Sequence, residues 1–297
     1  MIQILVCFKQ VAHLYSRRGV DSSGKIEPDA VVYAPNPYDE IALEEALRIK
    51  QQVSQAEVTL ISIGPQRVEK ALRYGLAMGA DRAIHLCDQR LESPSPWITS
   101  KALLKLIQTQ CFDLILCGKK AIDDNGGVVG AFVSELLSLP FASSVTEIVL
   151  APDGKKARMY RVLERGDRHL IECDLPALLS VERGVIRPRY PTLMGRLIAS
   201  RKEVLRVRPE EFGIDSLLNG EPKIKVSRLS ILRPKPKKMF RPDSNLSAEE
   251  RIQLIMSGGL VERKSHSLKG SPQDLAEQFI NFLEENRIIK KGRKSAD

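Results

Sequence analysis

The chain has 297 residues, 43% of them hydrophobic, which is enough apolar content for one large domain or two small ones. No run of about 18 uncharged apolar residues occurs, so no membrane span is predicted, and the amino terminus lacks the pattern of a secretory signal. Five cysteines without a CxxC spacing predict buried, reduced thiols, and four histidines without an HxxxH spacing argue against a metal site.

The first half of the chain alternates between strand and helix patterns. Apolar runs predict strands at residues 2–8, 57–64, 82–88 and 112–118, and amphipathic spacings predict helices at residues 36–52, 66–80, 96–110 and 128–139. Strands that are apolar throughout are buried on both faces, as in a parallel sheet covered by helices. The predicted fold class is therefore α/β, and its ligand crevice should lie at the carboxyl ends of the strands.

Beyond residue 140 the pattern changes. Residues 143–182 are β-rich and predict a meander that extends the sheet. A proline-punctuated basic arm and a basic linker follow, and then two short helices, the first from a capping box at Ser247 to a stop at Gly258 and the second beginning at Ser271. We therefore expect an α/β domain over 1–185, an extended arm over 186–220, a linker over 221–245 and a small helical extension over 246–297.

The last quarter of the chain is strongly basic. Residues 221–297 hold 17 Lys and Arg against 10 Asp and Glu, which places +7 of the net charge of +9 there. Such a tail can bind nucleic acid, an acidic membrane surface or an acidic partner, or it can simply be a solvated surface. The basic residues are not regularly interleaved with aromatic ones, so a stacking platform for single-stranded nucleic acid is not predicted.

The loop GKKAIDDNGGVVG, residues 118–130, is the candidate binding site. It leaves the end of a predicted strand, its glycines allow a close backbone approach, and it runs into a helix N-terminus that favours an anion. These features indicate a phosphate-bearing nucleotide, although glycines in such loops also serve turn geometry. Asp123 and Asp124 fit either metal ligands or turn formers, of which turn formers are the commoner. The absence of GxxxxGK[ST] argues against a Walker-type ATPase.

Four segments together resemble the β subunit of electron transfer flavoprotein. They are NPYDEIALEEALRIK, LISIGPQRVEKALRYGLAMGADRAIHL, DLILCGKKAIDDNGGVVG and RPRYPTLMGRLIASRK, which occur in the family's order over residues 1–215. The resemblance implies an α/β fold like that of the adenine nucleotide α-hydrolases and a heterodimer with a larger α subunit. It also implies that the α subunit supplies most of the site for a redox-active FAD, while the β subunit buries a structural AMP or, in bifurcating relatives, a second FAD.

The resemblance implies roles for the matching positions. Nucleotide contacts fall on Cys7, Asn36, Pro37, Tyr38, Asp39, Ile63, Gly118, Ala121, Ile122, Asp123, Asp124, Asn125, Gly126, Gly127, Val128 and Val129. Leu193 matches the leucine of a recognition loop that anchors partner dehydrogenases, with Tyr190 and Met194 beside it, although a core position would suit Leu193 equally well. Two departures stand out: Gly127–Gly130 lacks the threonine hydroxyl of AMP-type members, and residues 235–297 exceed the usual length.

The implied function is electron transfer, with no catalytic residues in this chain. The two-chain flavoprotein would take electrons from acyl-CoA dehydrogenase-type donors and pass them to a quinone- or iron–sulfur-linked acceptor. The missing presequence indicates a cytoplasmic bacterial protein rather than one of the mitochondrial matrix. The alternatives are a β subunit with a second FAD, an ATP-using enzyme of a related fold and, although no nucleic-acid partner is expected, a nucleic-acid binder acting through the tail. The C-terminal helices are expected to pack against the α subunit or another redox partner.

Overall fold

The computed structural model describes residues 1–14, 31–53, 55–184, 186–218, 242–243, 245–256 and 270–285. The chain divides into two compact units, Met1–Ile231 and Leu232–Asp297. The first unit holds a large sheet with its covering helices, and the second holds two further helices.

A nine-stranded sheet forms the centre of the first unit. Its strands are β1 (Ile2–Cys7), β4 (Ala56–Gly64), β5 (Arg82–Cys87), β6 (Leu114–Gly118), β7 (Phe141–Leu150), β8 (Lys156–Val162), β9 (Arg168–Asp174), β10 (Ala177–Val181) and β11 (Leu205–Val207). Their order is β11-β5-β4-β1-β6-β10-β7-β8-β9, parallel up to β7 and antiparallel from β7 to β9. A separate antiparallel hairpin joins β2 (Gln10–Leu14) and β3 (Val31–Pro35). The predicted α/β class with a mostly parallel sheet is confirmed.

Helices cover both faces of the sheet. The helices α1 (Pro37–Gln52) and α2 (Glu69–Met78) pack on one face, against strand residues that include Ile4 and Leu60. The helices α3 (Pro96–Ile107) and α4 (Val129–Leu137) pack on the other face, against Leu5 and Ile61. Successive residues of β1 therefore enter opposite cores, which is why its sequence is apolar without alternation.

The structure differs from the predictions at β10 and at one hairpin. Strands β7, β8 and β9 form the predicted meander, but β10 crosses back and lies between β6 and β7, parallel to both. All residues of β10 are buried, because this central position has a core on each side. The β2–β3 hairpin was not predicted, because the polar sequence between its strands suggested a loop throughout.

The arm contains regular structure that its prolines concealed. Thr192 begins helix α5 (Leu193–Arg201), and its Oγ1 accepts a hydrogen bond of 2.9 Å from Gly195 N. Strand β11 then pairs with β5, and a short helix α6 (Asp215–Leu218) closes this part of the chain. The extended arm that the sequence predicted is therefore partly wrong, since a Pro-Thr pair also serves as a helix start.

The second unit contains the helices α7 (Ala248–Met256) and α8 (Pro272–Glu285). The predicted capping box is confirmed, because Ser247 Oγ accepts from Glu250 N at 3.3 Å and the Glu250 carboxylate accepts from Ser247 N at 2.9 Å. Ser271 makes the equivalent contacts with Asp274 at the start of α8. The predicted stop at Gly258 and most of the linker over 221–245 lie outside the described residues. None of the described helices combines the length and the apolar character that crossing a membrane requires.

Candidate functional site

A cleft of about 580 Å³ opens at the carboxyl ends of β1, β4 and β6. It brings together most of the sequence-predicted nucleotide contacts, namely Cys7, Asn36, Asp39, Ile63, Gly118, Ala121, Asp123, Asp124, Gly126, Gly127, Val128 and Val129. Pro37, Tyr38, Ile122 and Asn125 do not line it. The cleft therefore occupies the edge of the sheet where parallel α/β folds bind ligands.

Asp39 ties the walls of the cleft together. From the first turn of α1 its carboxylate accepts a hydrogen bond of 2.8 Å from Lys9 N, just past β1, and one of 2.9 Å from Gly118 N, at the end of β6. Burial raises the pKa of Asp39 to about 7, although both backbone hydrogen bonds act in the opposite direction. The carboxylate is thus engaged by the chain itself, and it fixes the spacing of two strand ends.

Asn36 leaves a hydrogen-bond acceptor without a partner in the cleft wall. Its Nδ2 donates to the Lys120 carbonyl at 2.9 Å, which sets the orientation of the amide. Its Oδ1 is buried and has no hydrogen-bond partner. Although Asn36 stands at the N-cap position of α1, its side chain makes no cap hydrogen bond. An unpaired buried acceptor suits a ligand hydroxyl or amine.

The glycine-rich loop owes its shape to its smallest residues. Asn125 and Gly127 have left-handed φ values of +55° and +65°. Asp124 Oδ1 accepts from Gly126 N at 2.9 Å, as in an Asx turn. A Cβ at residue 127 would lie 3.1 Å from the Lys119 carbonyl oxygen. Gly127 therefore allows a curved backbone beside the cleft that a side chain would strain.

Helix α4 begins at the cleft without a side-chain cap. Val128 occupies the N-cap position and its side chain makes no cap hydrogen bond. The N–H groups of the first turn have no partner inside the helix, and they carry the positive end of the helix dipole. Val128, Val129 and Gly130 all line the cleft. The start of α4 would offer an anionic group backbone donors, because neither valine supplies a hydroxyl.

Charged side chains surround the loop. Lys9 Nζ forms ion pairs with Asp123 at 2.8 Å and with Asp124 at 3.1 Å. Lys120 Nζ lies 5.9 Å from the centre of the Tyr38 ring and also lines the cleft. Within the described ranges no group of three His, Cys, Asp or Glu side chains is arranged to hold a metal ion. The contacts of Asp123 and Asp124 support their interpretation as turn formers.

The thiols at the cleft are not reactive groups. Burial raises the pKa of Cys7 to about 12, with a smaller contribution from the charge of Asp39. Burial likewise raises the pKa of Cys117 well above its usual value. Both thiols are therefore neutral and serve as small apolar wall groups. All five cysteines are free, but the predicted burial holds fully only for Cys117, because Cys7, Cys87 and Cys173 are half-buried and Cys111 is exposed.

Sequence reasoning missed one wall of the cleft. This wall comes from the β2–β3 hairpin and from the turns after β4 and β5, and it includes Gln10, Tyr33, Arg67, Glu92 and Ser93. The guanidinium of Arg67 lies 4.0 Å from the centre of the Tyr33 ring and pairs with Glu92. The turns after neighbouring strands could have been suspected from the sheet rule. Nothing in the sequence indicated that the hairpin reaches the cleft.

The arm presents apolar side chains to solvent. Tyr190, Leu193 and Met194 are 89%, 77% and 65% exposed, and Leu197 and Ile198, one turn further along α5, are each 51% exposed. The alternative that Leu193 is a core residue is therefore wrong for the described chain. A run of exposed apolar residues on one helix is typical of a surface that another molecule covers.

Specific contacts hold the arm against the sheet domain. Glu44 of α1 accepts hydrogen bonds from Arg189 Nε at 2.9 Å and Nη2 at 2.8 Å. Arg73 of α2 donates from Nη1 to the Ala199 carbonyl, near the end of α5, at 2.8 Å. A Cβ at Gly195 would lie 2.5 Å from a carbonyl oxygen of α2, so the two helices touch through backbone atoms. These contacts fix α5 in place on the domain.

The chain is an α/β protein of the class that receives anionic ligands at the edge of its sheet. Three features define this class: the parallel strand order, the cleft at the strand ends and the uncapped start of α4. The family model for the electron transfer flavoprotein domain matches residues 24–211, and the chain belongs to the electron transfer flavoprotein β subunit family. Members of this family are electron carriers, and they work together with an α subunit in a flavin-related system.

Relatives from distant organisms share this similarity. The electron transfer flavoprotein subunit beta of Bacillus subtilis is 32% identical over 244 residues, covering 82% of this chain and 93% of the relative. The subunit beta of Thermoanaerobacterium thermosaccharolyticum is 36% identical over 215 residues, covering 72% and 81%. That of Homo sapiens is 32% identical over 218 residues, covering 72% and 84%.

Proposed function

We propose that this chain is the β subunit of a heterodimeric electron transfer flavoprotein and that it holds a structural AMP in its cleft. The observation that carries the proposal is that the uncapped start of α4 and the unpaired acceptor of Asn36 belong to residues of the same cleft. The first feature suits a phosphate and the second suits a ribose hydroxyl or base amine. Backbone N–H groups of Val129 and Gly130 would hold the phosphate.

In the same proposal the chain helps to form an FAD site whose larger part lies on the α subunit. The flavin supplies the redox chemistry when it is bound, while this chain supplies position and electrostatics. The arm serves as the contact for acyl-CoA dehydrogenase-type donors through Tyr190, Leu193 and Met194, because these side chains are exposed on α5 or just before it, and α5 is held against the domain. Electrons leave to a quinone- or iron–sulfur-linked acceptor, and we propose a cytoplasmic bacterial location.

Nucleotide analysis of the assembled heterodimer tests the proposal. The chain is produced with its α subunit, the complex is purified, and the nucleotides released by acid are identified by mass and quantified against protein. We expect one AMP and one FAD per heterodimer. Two FAD and no AMP would replace the proposal by a β subunit that carries a second flavin. ATP hydrolysis by the chain alone would instead favour an ATP-using enzyme.

A pair of glycine variants provides a matched control. Gly127 and Gly213 have nearly the same left-handed φ, +65° and +64°, but a Cβ at residue 213 would meet no atom within 4 Å. Both changes to alanine therefore impose similar backbone strain, while only Gly127→Ala alters the cleft. We expect Gly127→Ala to lose AMP and Gly213→Ala to retain it. Equal AMP contents in the two variants would show that the loop does not hold the nucleotide.

A further inference from the structure

The arm displays its exposed apolar residues on one side of α5. Residues 193 and 197 are four positions apart, as are residues 194 and 198, so each pair consists of neighbours on the helix surface. The side chains exposed on this side are Leu193, Met194, Leu197 and Ile198. On the other side, Gly195 lies against a carbonyl oxygen of α2 and Ala199 is 2% exposed. The helix therefore has one face packed on the domain and an apolar face in solvent.

The stretch that leads into α5 has no regular structure of its own. Residues 186–192 belong to no helix or strand, and Pro188 and Pro191 have no N–H group to donate. A stretch with few backbone hydrogen bonds opens easily unless side chains hold it. It carries the exposed Tyr190 and sets the point at which α5 begins. Its position therefore depends on contacts made by side chains.

Glu44 of α1 provides those contacts. Its carboxylate accepts hydrogen bonds from three atoms of Arg189, the backbone N at 3.0 Å, Nε at 2.9 Å and Nη2 at 2.8 Å. Hydrogen bonds between charged groups are the strong ones, and a forked contact also sets direction. Because a backbone group takes part, the bonds hold the chain itself just before Tyr190, and not only the end of a long side chain.

A second set of contacts holds the far end of α5. Arg73 Nη1 donates to the carbonyl oxygens of Ala199 at 2.8 Å, Ser200 at 3.2 Å and Lys202 at 3.3 Å. Lys202 Nζ in turn donates to the Ala80 carbonyl at 2.8 Å. The last carbonyls of a helix have no partner within it, so a cation suits them. The exposed apolar face thus lies between two fixed points.

We propose that Glu44 is a positioning residue for partner docking, because through Arg189 it holds the beginning of the apolar face in place before a partner binds. The inference rests on the proposed role of the arm as the donor contact. Glu44 is 6% exposed, so it acts through Arg189 and not by touching the partner. A surface that is ordered in advance loses less conformational freedom on binding. Without the clamp, the apparent dissociation constant rises as the fraction of correctly placed arms falls.

Reduction of the assembled heterodimer by a bacterial acyl-CoA dehydrogenase, supplied with its acyl-CoA substrate, tests the proposal. We expect Glu44→Gln to raise the KM for the heterodimer about threefold or more and to leave kcat unchanged, since only the competent fraction changes. Arg189→Met removes the same side-chain bonds from the arm and should act in the same way. Glu45→Gln is the matched control, because Glu45 is the next residue of α1 and pairs with Arg48 of the same helix at 3.7 Å. It should leave KM unchanged.

A double-mutant cycle with Leu193→Ala shows whether Glu44 acts through the arm. If it does, Glu44→Gln should raise KM by a smaller factor in the Leu193→Ala background than in the wild type, because the contact is already weakened there. Hydrogen exchange gives a second readout that needs no partner. The amides of residues 193–198 should exchange faster in Glu44→Gln than in Glu45→Gln.

The outcomes separate this inference from the proposed function. If Leu193→Ala raises KM but Glu44→Gln and Arg189→Met do not, the positioning role is overturned while the donor contact stands. Equal factors for Glu44→Gln in the two backgrounds, or equal exchange rates in the two glutamine variants, also overturn it. If Leu193→Ala leaves KM at the wild-type value, the arm is not the donor contact and both proposals fail.

Discussion

Alanine in place of Gly118 should separate the two elements that frame the cleft. The end of β6 packs directly against the first turn of α1, so a Cβ at residue 118 would lie 2.3 Å from Asp39 Oδ1, 2.6 Å from Tyr38 Cβ and 2.9 Å from the Tyr38 carbonyl carbon. One of these atoms is backbone and cannot rotate away. The end of β6 must therefore move, and the hydrogen bond of 2.9 Å from residue 118 N to Asp39 is lost.

The magnitude follows from two contributions. A hydrogen bond to a charged group contributes about 1.5–3 kcal/mol, and overpacking of a tight contact costs about 1–3 kcal/mol. We therefore expect Gly118→Ala to lower the free energy of unfolding by about 3–5 kcal/mol. At a urea slope of about 3 kcal/mol per M, the unfolding midpoint falls by about 1–1.7 M.

Trp97 fluorescence is the assay, because it is the only tryptophan in the sequence and lies in α3, where its ring meets Phe132 edge-on. The signal therefore reports unfolding around α3 and α4. Gly126→Ala is the control, since a Cβ there would come no closer than 3.5 Å to its neighbours and should change stability by less than about 1 kcal/mol. Coincident midpoints for the two variants would refute the steric reasoning.

Three further results are expected. Burial raises the pKa of Glu45 to about 7, above its ordinary value of 4.5. Between these two pH values the folded chain holds a proton that the unfolded chain releases, so the free energy of unfolding falls as pH rises. In urea titrations Glu45→Gln should therefore gain stability relative to wild type at about pH 8 compared with about pH 5, and a difference that does not change with pH would contradict this. Leu193→Glu should leave the melting temperature unchanged but slow reduction of the heterodimer by an acyl-CoA dehydrogenase, whereas the same rate as wild type would count against the arm as the donor contact. Deletion after Ile231 should leave the urea midpoint of Trp97 fluorescence within about 0.3 M of that of the full chain, because the chain divides into two compact units there. A larger shift would show that the second unit stabilises the first.

The sequence alone determined the α/β class and most elements of the first unit. Strand β1 and helix α1 could be predicted because their signals are local: an unbroken apolar run for a strand buried on both faces, and a proline with acidic residues at the start of an amphipathic helix. The loop at residues 118–130 was also visible, because glycine, aspartate and a following helical pattern lie within thirteen positions of one another. The family resemblance depended on the same local segments.

Tertiary structure decided what depends on partners distant in sequence. The position of β10 between β6 and β7 is set by strand pairing, which local propensity does not encode. Arg67 meets Tyr33 and Glu92 only because a hairpin and two strand ends converge on the cleft. The exposure of Leu193 likewise follows from how α5 packs on α2. Each of these features depends on which surfaces pack together. The residue pattern of one segment does not specify which other segment will pack against it.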